Sequence, residues 1–377
     1  MAEINKKLLD DCAKCGSCKA RCPVYDITRN EGFSPRGRIV LLKGIFSGGT
    51  VQAGPPAIRR LMSCALCGLC DNTCPVGIKP TEIIYQGRAA LRGADRGRLL
   101  LRTALRFGLR SPGAALGAAR IFPGLAQRVL PGVKTLPRRT LRNGGQVIKP
   151  ANRKSAGRVA VFAGCSTNYL MPETGESLIG MLLALGYEVI LPHGEVCCGS
   201  PLRALGLEEE ARNFALKNIE VFGKMNVEAV VSPCPTCTLV IREHYRHLTG
   251  AAVRNAMDAV EFLSGKLDAG AGRKTASERL VWHEPCHLRH GLGFDPQGLL
   301  NLLNIEKGDD GCCGLGLSLT DRGLSQEMLR RKTEAYQGRG RVVTACPGCM
   351  LQLRRGGLET VHILELMEEA FFPAAEV

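Results

Sequence analysis

Residues 12–23 read Cys12-Ala13-Lys14-Cys15-Gly16-Ser17-Cys18-Lys19-Ala20-Arg21-Cys22-Pro23, a C-x2-C-x2-C-x3-C-P run. The same spacing returns at Cys64, Cys67, Cys70, Cys74 and Pro75. Three thiolates two residues apart can wrap one face of a small inorganic cube. The fourth precedes proline, which pushes it out of the helical region and directs it elsewhere. One such run could be a zinc site. Two complete copies favour a pair of [4Fe–4S] cubane clusters over zinc or a disulfide framework.

In two-cluster ferredoxins the fourth cysteine of each run ligates the other cluster. The expected assignment is therefore crossed. Cys12, Cys15, Cys18 and Cys74 hold one cube, and Cys64, Cys67, Cys70 and Cys22 hold the second.

The chain has 377 residues, room for two or three domains with their own cores. Its eighteen cysteines would suggest disulfides in a secreted chain, but residues 1–10 show no apolar signal region and no cleavage site. No uninterrupted apolar run approaches the roughly 18 residues of a membrane span. The consistent reading is reduced thiols in the cytoplasm, with oxygen-labile clusters favouring a low-oxygen setting.

The net charge of +15 is local. Residues 88–154 hold sixteen Lys or Arg and a single acid, Asp95, which accounts for all of it. Over 99–110 a helical projection places Arg102, Arg106 and Arg110 on one side, with Leu100, Leu101, Ala104, Leu105 and Phe107 opposite. Ile121-Phe122-Pro123, Val129-Leu130-Pro131, Arg138-Arg139 and Arg142 follow, broken by Gly and Pro. Such a segment could lie on an anionic membrane, dock on an acidic partner subunit, or be a solvated linker. Without interleaved aromatics it is a poor nucleic-acid binder.

Between the two cysteine runs, Ile39, Leu42 and Ile45/Phe46 fall at helical spacing, as do Ile58, Leu61 and Met62, with Ile83 and Ile84 after the second run. Residues 1–87 thus read as helices around two cubes. Arg36 and Arg38 either offset a cluster's negative charge or cap and solvate a helix.

From residue 157 the chain alternates strands and helices, twice. A strand over 158–163 leads to Cys165, a helix over 172–185 ends at Gly186, and a strand over 187–191 leads to Cys197-Cys198-Gly199. A helix over 208–222 follows, then a strand at 229–231 before Cys234-Pro235-Thr236-Cys237. The second copy runs from a strand at 280–282 to Cys286, then Cys312-Cys313-Gly314, then a strand at 342–344 before Cys346-Pro347-Gly348-Cys349. This order indicates parallel sheets, which bind ligands at the carboxyl ends of their strands. Three separate pieces of each copy can then converge on one point. Five sulfurs exceed what tetrahedral zinc needs, and a disulfide between the adjacent cysteines would leave the CxxC pairs unexplained. An iron–sulfur cluster at each set is the favoured reading, beside zinc and disulfide chemistry. His283, His287 and His290 surround Cys286, and His193 precedes the first adjacent pair. Cluster contact or proton relay is the pointed reading, and hydrogen-bonded or solvated histidines the plainer one.

The pattern C…CCG…CxxC, present twice behind two C-x2-C-x2-C-x3-C-P runs, resembles the cysteine-rich (CCG) domain proteins. They include the iron–sulfur subunits of glycolate oxidase and D-lactate dehydrogenases, the C subunit of anaerobic glycerol-3-phosphate dehydrogenase, and the D subunit of heterodisulfide reductase. Ser34-Pro35-Arg36-Gly37-Arg38-Ile39 looks most like the glycolate and lactate branch. The chain is thus expected to be an α+β multidomain protein: a helical ferredoxin domain at 1–87, a basic amphipathic connector at 88–156, and repeated α/β CCG domains at 157–275 and 276–377, with the resemblance covering all but the connector. In the heterodisulfide reductase relatives each five-cysteine set holds a noncubane [4Fe–4S] cluster. That leads us to expect one or two such clusters here, with the second less certain because its Cys286–Cys312 interval is shorter than Cys165–Cys197.

No G-x-G-x-x-G after a strand, phosphate loop or flavin site is apparent. The expected function is an electron-transfer subunit of a flavin-dependent 2-hydroxy-acid dehydrogenase. The FAD would sit on a partner subunit, the acceptor would be a quinone or membrane carrier, and the chain would be peripheral at the inner face of the cell membrane. The alternatives are a disulfide or heterodisulfide reductase, the C subunit of an anaerobic glycerol-3-phosphate dehydrogenase, and a zinc-stabilised interaction module.

Overall fold

The computed structural model describes residues 4–121, 137, 139–141, 145–151, 155–267 and 278–372. Proline opens several of the N-terminal helices. Cys22 is extended ahead of Pro23 (φ −86°, ψ 110°) and caps the helix Pro23–Thr28. Ser34 caps Pro35–Phe46, its hydroxyl accepting from the Gly37 N–H at 2.9 Å, with Pro35 in the first turn where no N–H is needed. The helices Pro55–Met62 and Pro80–Ala90 complete the set. Ile39, Leu42, Leu61 and Ile83 form the core between them, with Ile45 and Phe46 packed against it. The apolar spacing read in the sequence is the buried face.

Two α/β units follow. The first sheet joins β1 (Gln146–Ile148), β2 (Gly157–Val161), β3 (Tyr187–Leu191), β4 (Ala229–Ser232) and β5 (Ala256–Asp258) in the order β1-β3-β2-β4-β5. The second joins β6 (Leu280–Trp282), β7 (Glu306–Lys307), β8 (Arg341–Thr344) and β9 (Thr360–His362) in the order β7-β6-β8-β9. Apart from the antiparallel β1, all pairings are parallel, and the two units repeat one topology. Each chain enters at the middle of its sheet and leaves to either side, so the loops after β2 and β4, or β6 and β8, flank a switch point. The helices Pro172–Ala184 and Ile363–Phe371 face each other, and one apolar core runs through both units from Val159 to Trp282 and Met367.

In the basic segment the helix Leu99–Arg110 forms, rolled so that Arg102 and Arg106 turn toward the protein while Arg110 stays exposed. Arg102 is 4% exposed and donates to the Leu205 and Asp95 carbonyls and to the Asp95 carboxylate, while Arg106 pairs with Glu210. Leu101, Leu105 and Leu109 pack beside Leu202 and Leu207, which leaves Leu100 85% and Phe107 57% exposed. Charge-assisted bonds to a buried acid and to carbonyls outweigh solvation of the guanidinium. Of the three arginines on that side, Arg102 and Arg106 are therefore engaged within the protein. Gln146–Ile148, also in this segment, becomes the edge strand of the first sheet. Phe122, Pro123, Val129, Leu130, Pro131, Arg138 and Arg142 lie outside the described residues.

Polar side chains, buried at Arg203 and exposed at Arg331, join the helices to both units. Arg203 donates twice to Glu82 (2.6 and 2.8 Å) with its guanidinium 4.2 Å from the Tyr85 ring centre. Ser63 bonds Asp321 at 2.6 Å, and Arg331 bonds Asp26 at 2.7 Å. Burial is the largest single influence and would push the Glu82 carboxyl up, but the Arg203 charge and hydrogen bonds, with His247 and Gln86, together outweigh it and hold Glu82 below the ordinary 4.5. Replacing Arg203 with Ala leaves a buried carboxylate unpaired, so a loss of about 3–5 kcal/mol is expected in denaturant unfolding. Because the folded value is depressed, the stability from this pair is complete above the ordinary carboxyl value and is lost as pH falls through the folded one. Melting temperature measured downward from pH 5 should fall less steeply in Glu82→Gln than in the parent chain.

Candidate metal centre

The two N-terminal runs interleave. Cys12 and Cys74 pack against the same apolar cluster, and Cys18 lies close enough to Cys12, Cys15 and Cys22 to feel their charge. A recess is lined by Cys64, Cys67 and Cys70 of the second run and by Cys22 of the first. The fourth cysteine of the first run thus faces the second run. Arg38 lines the same recess. Its Nε and Nη2 donate to the Arg60 and Ser63 carbonyls (both 2.7 Å), while Nη1 is buried without a partner. Arg36 lies at the first run, donating to the Lys14 carbonyl at 2.9 Å and to Glu31, and its backbone N–H bonds the Cys18 sulfur.

In the first α/β unit the loops after β2, β3 and β4 bring five thiols together. Cys165 lies 3.7 Å from Cys197, and Cys198 lies 3.5 Å from Cys237, with Cys234 bonded to Cys237. Gly199 follows the adjacent pair in the left-handed region (φ +87°), which frees the backbone to turn there. Glu195 accepts from the Gly164 N–H at 2.8 Å and fixes the loop before Cys165. Asn218 donates to the Cys197 carbonyl at 3.3 Å and to Tyr245 at 2.8 Å. Donation first from Cys197 and then from Cys237 holds the Cys198 thiol down at about 5, which concentrates thiolate character on one sulfur.

The second unit repeats the arrangement with five more. Cys313 lies 3.5 Å from Cys349, Cys286 donates to Cys312, and Cys349 donates to Cys346. The shorter interval does not draw Cys286 away from Cys312. Thiol donors push both Cys312 and Cys346 well below the ordinary range. The sets also meet one another. Cys67 of the second run bonds Cys312, and Cys346 bonds Cys234 of the first unit.

The histidines divide. His287 bridges three modules: one ring nitrogen lies 2.8 Å from the Thr236 hydroxyl, inside the first CxxC, and the other bonds the Leu66 carbonyl at 3.0 Å, inside the second run. His283 is fully buried, and burial pushes its imidazole down to about 4. His290 accepts from Asn72 through its carbonyl at 3.1 Å. His193 is exposed beside Gly145, on the edge-strand side of the sheet. Thr236, Asn218 and Glu195 were not singled out by sequence. Only the position of Thr236 within a CxxC offered a signal.

All eighteen cysteines are free thiols, and the recorded sulfur separations of 3.5–3.7 Å lie far beyond the ~2.05 Å of a disulfide. Five soft donors around one point, a buried cation with one unpaired nitrogen at the recess, and loops held by carboxylate and amide side chains fit a sulfur-ligated metal group. Because His287 holds two loops at once, His287→Ala should cost roughly 1–3 kcal/mol in equilibrium unfolding, and Thr236→Val about half of that. Changes inside about 0.5 kcal/mol for both would mean the ring is merely solvated.

Comparison with known proteins agrees. A 4Fe-4S dicluster domain model matches residues 8–78, and a cysteine-rich domain model matches residues 159–242 and 280–354. The chain is 24% identical to the probable glycolate oxidase iron-sulfur subunit of Bacillus subtilis, covering 96% of this chain and 93% of that one. It is 29% identical to the Escherichia coli glycolate oxidase iron-sulfur subunit (96% and 94% covered) and 28% identical to the C subunit of the anaerobic glycerol-3-phosphate dehydrogenase of the same species (97% and 100%). With its cysteines so spaced and three domain matches spanning more than half its length, the chain belongs to the iron–sulfur proteins that join a 4Fe-4S dicluster domain to two cysteine-rich domains.

Proposed function

We propose that this chain is the electron-transfer subunit of a flavin-dependent 2-hydroxy-acid dehydrogenase acting on glycolate or D-lactate, and that it passes electrons from an FAD-bearing partner toward a quinone or membrane acceptor. One observation carries the reading: the thiols form a single line. It runs from the first run to the second through Cys22, on to the second unit through Cys67 and Cys312, and on to the first unit through Cys346 and Cys234. Bound iron–sulfur groups supply one-electron chemistry. The chain's own part is to hold the donors, to bury most of them away from water, and to place positive charge at Arg36 and Arg38.

Under this reading Cys12, Cys15, Cys18 and Cys74 hold one cubane cluster, and Cys64, Cys67, Cys70 and Cys22 hold the other. Cys165, Cys197, Cys198, Cys234 and Cys237 hold a third group, and Cys286, Cys312, Cys313, Cys346 and Cys349 a fourth. Residues 1–87, 157–275 and 276–377 are the domains that carry them, with 88–156 as connector. The hydroxy acid is preferred because the Ser34-Pro35-Arg36-Gly37-Arg38 stretch resembles that branch and two of the relatives are glycolate oxidase subunits. No helix among the described residues is long and apolar enough to cross a membrane, so a membrane acceptor would be reached from its surface.

Anaerobically purified chain should contain about sixteen irons and reduce no dye with glycolate or lactate until a flavoprotein is added. Fast turnover by the chain alone, or zinc in place of iron, would reject the proposal. The crossed assignment has its own check by EPR: Cys22→Ala should remove the signal lost in Cys64→Ala, and leave the one lost in Cys12→Ala.

A further inference from the structure

At one matched station the duplicated units carry different pairs of side chains. Phe162 follows β2, its N–H donating to the Val231 carbonyl at 2.9 Å, and its ring packs on Phe222 near the end of the helix Glu208–Gly223. His283 follows β6 at the same station, its N–H donating to Val343 at 2.8 Å, and its ring packs on Tyr336 at the end of the helix Arg322–Tyr336. A polar pair thus replaces a hydrocarbon pair beside otherwise similar sets of five thiols.

The polar pair is oriented. The Tyr336 hydroxyl lies 3.1 Å from the Asp309 carbonyl oxygen and 3.1 Å from His283 Nδ1. A carbonyl can only accept, so the single hydroxyl proton goes to Asp309, and Nδ1–H must be the donor to the hydroxyl oxygen. The neutral ring then carries a lone pair on Nε2, which is buried and meets no protein partner. An imidazole nitrogen of His283 and the sulfurs of Cys313 and Cys349 lie within 4.8 Å of one another. Metal-binding histidines characteristically donate the other ring N–H in this way, which fixes the tautomer and orientation.

We propose that His283 Nε2 is a sixth ligand at the second set, where five thiols and one imidazole bind the metal group, while the first set offers thiols alone. This rests on the reading that the second set holds an iron–sulfur group. The imidazole adds a neutral donor that the first set lacks, at equal thiolate number, so the two sets should differ in reduction potential.

The test uses the full-length, iron-loaded chain and pulsed EPR for nitrogen coupling, with redox titration alongside. The double variant His283→Phe/Tyr336→Phe installs the pair that the first unit already packs, which guards against misfolding. The expected result is a strongly coupled imidazole nitrogen in the parent, lost in the variant at unchanged iron content, and a shift in one midpoint potential. Full iron with no strongly coupled nitrogen would overturn the ligand while leaving the electron relay standing. Iron content unaffected by Cys313→Ala/Cys349→Ala would overturn both, because the second set would then hold no iron.

Discussion

Arg88 is almost fully buried in the seam between the N-terminal helices and the first α/β unit, where it gathers carbonyls from both sides. Its guanidinium donates to Leu61, Met62 and Cys64 at the start of the second cysteine run and to Ala204 of the first unit. Burial lowers the basicity of this group to about 10, still far above neutrality, so it remains a five-proton donor. Those carbonyls would otherwise end a helix in apolar surroundings without donors. Arg38 and Arg102 work in the same manner a short distance away. The positions of the cysteine loops relative to each other depend on these cations, which also explains why some of the charge in the basic segment never reaches solvent.

Much of this was legible in the residues. The paired cysteine runs, the repeated five-thiol pattern and the central strands are strong local signals, because proline, glycine and runs of branched residues act over a few positions. Other features depend on distant partners. An Arg/Leu helix such as Leu99–Arg110 has two plausible faces, and only Asp95, Glu210 and the Leu205 carbonyl decide which turns inward. The strand Glu306–Lys307 is two exposed residues that exist because Val281 and Trp282 pair with them. His287 could be flagged beside Cys286, but its partners Thr236 and Leu66 lie in other modules.

The two α/β units show how a duplication can keep geometry and change chemistry. Strand order, the left-handed glycine after each adjacent cysteine pair and the shared core are retained. The exchange of Phe162 and Phe222 for His283 and Tyr336 was visible in principle by aligning the copies three residues before Cys165 and Cys286. What such an alignment cannot supply is the Asp309 carbonyl, which gives the pair its direction.

Two glycines set the closeness of the modules. A Cβ at Gly206 would stand 2.5 Å from the Arg88 carbonyl oxygen, and one at Gly316 would stand 2.3 Å from that of Ala65. Main chain therefore rests on main chain at both joints, with no rotatable side chain between them to take up slack. A hop whose rate falls steeply with distance is then insulated from breathing of the domains, since the gaps it crosses are defined by the least compliant part of the polypeptide.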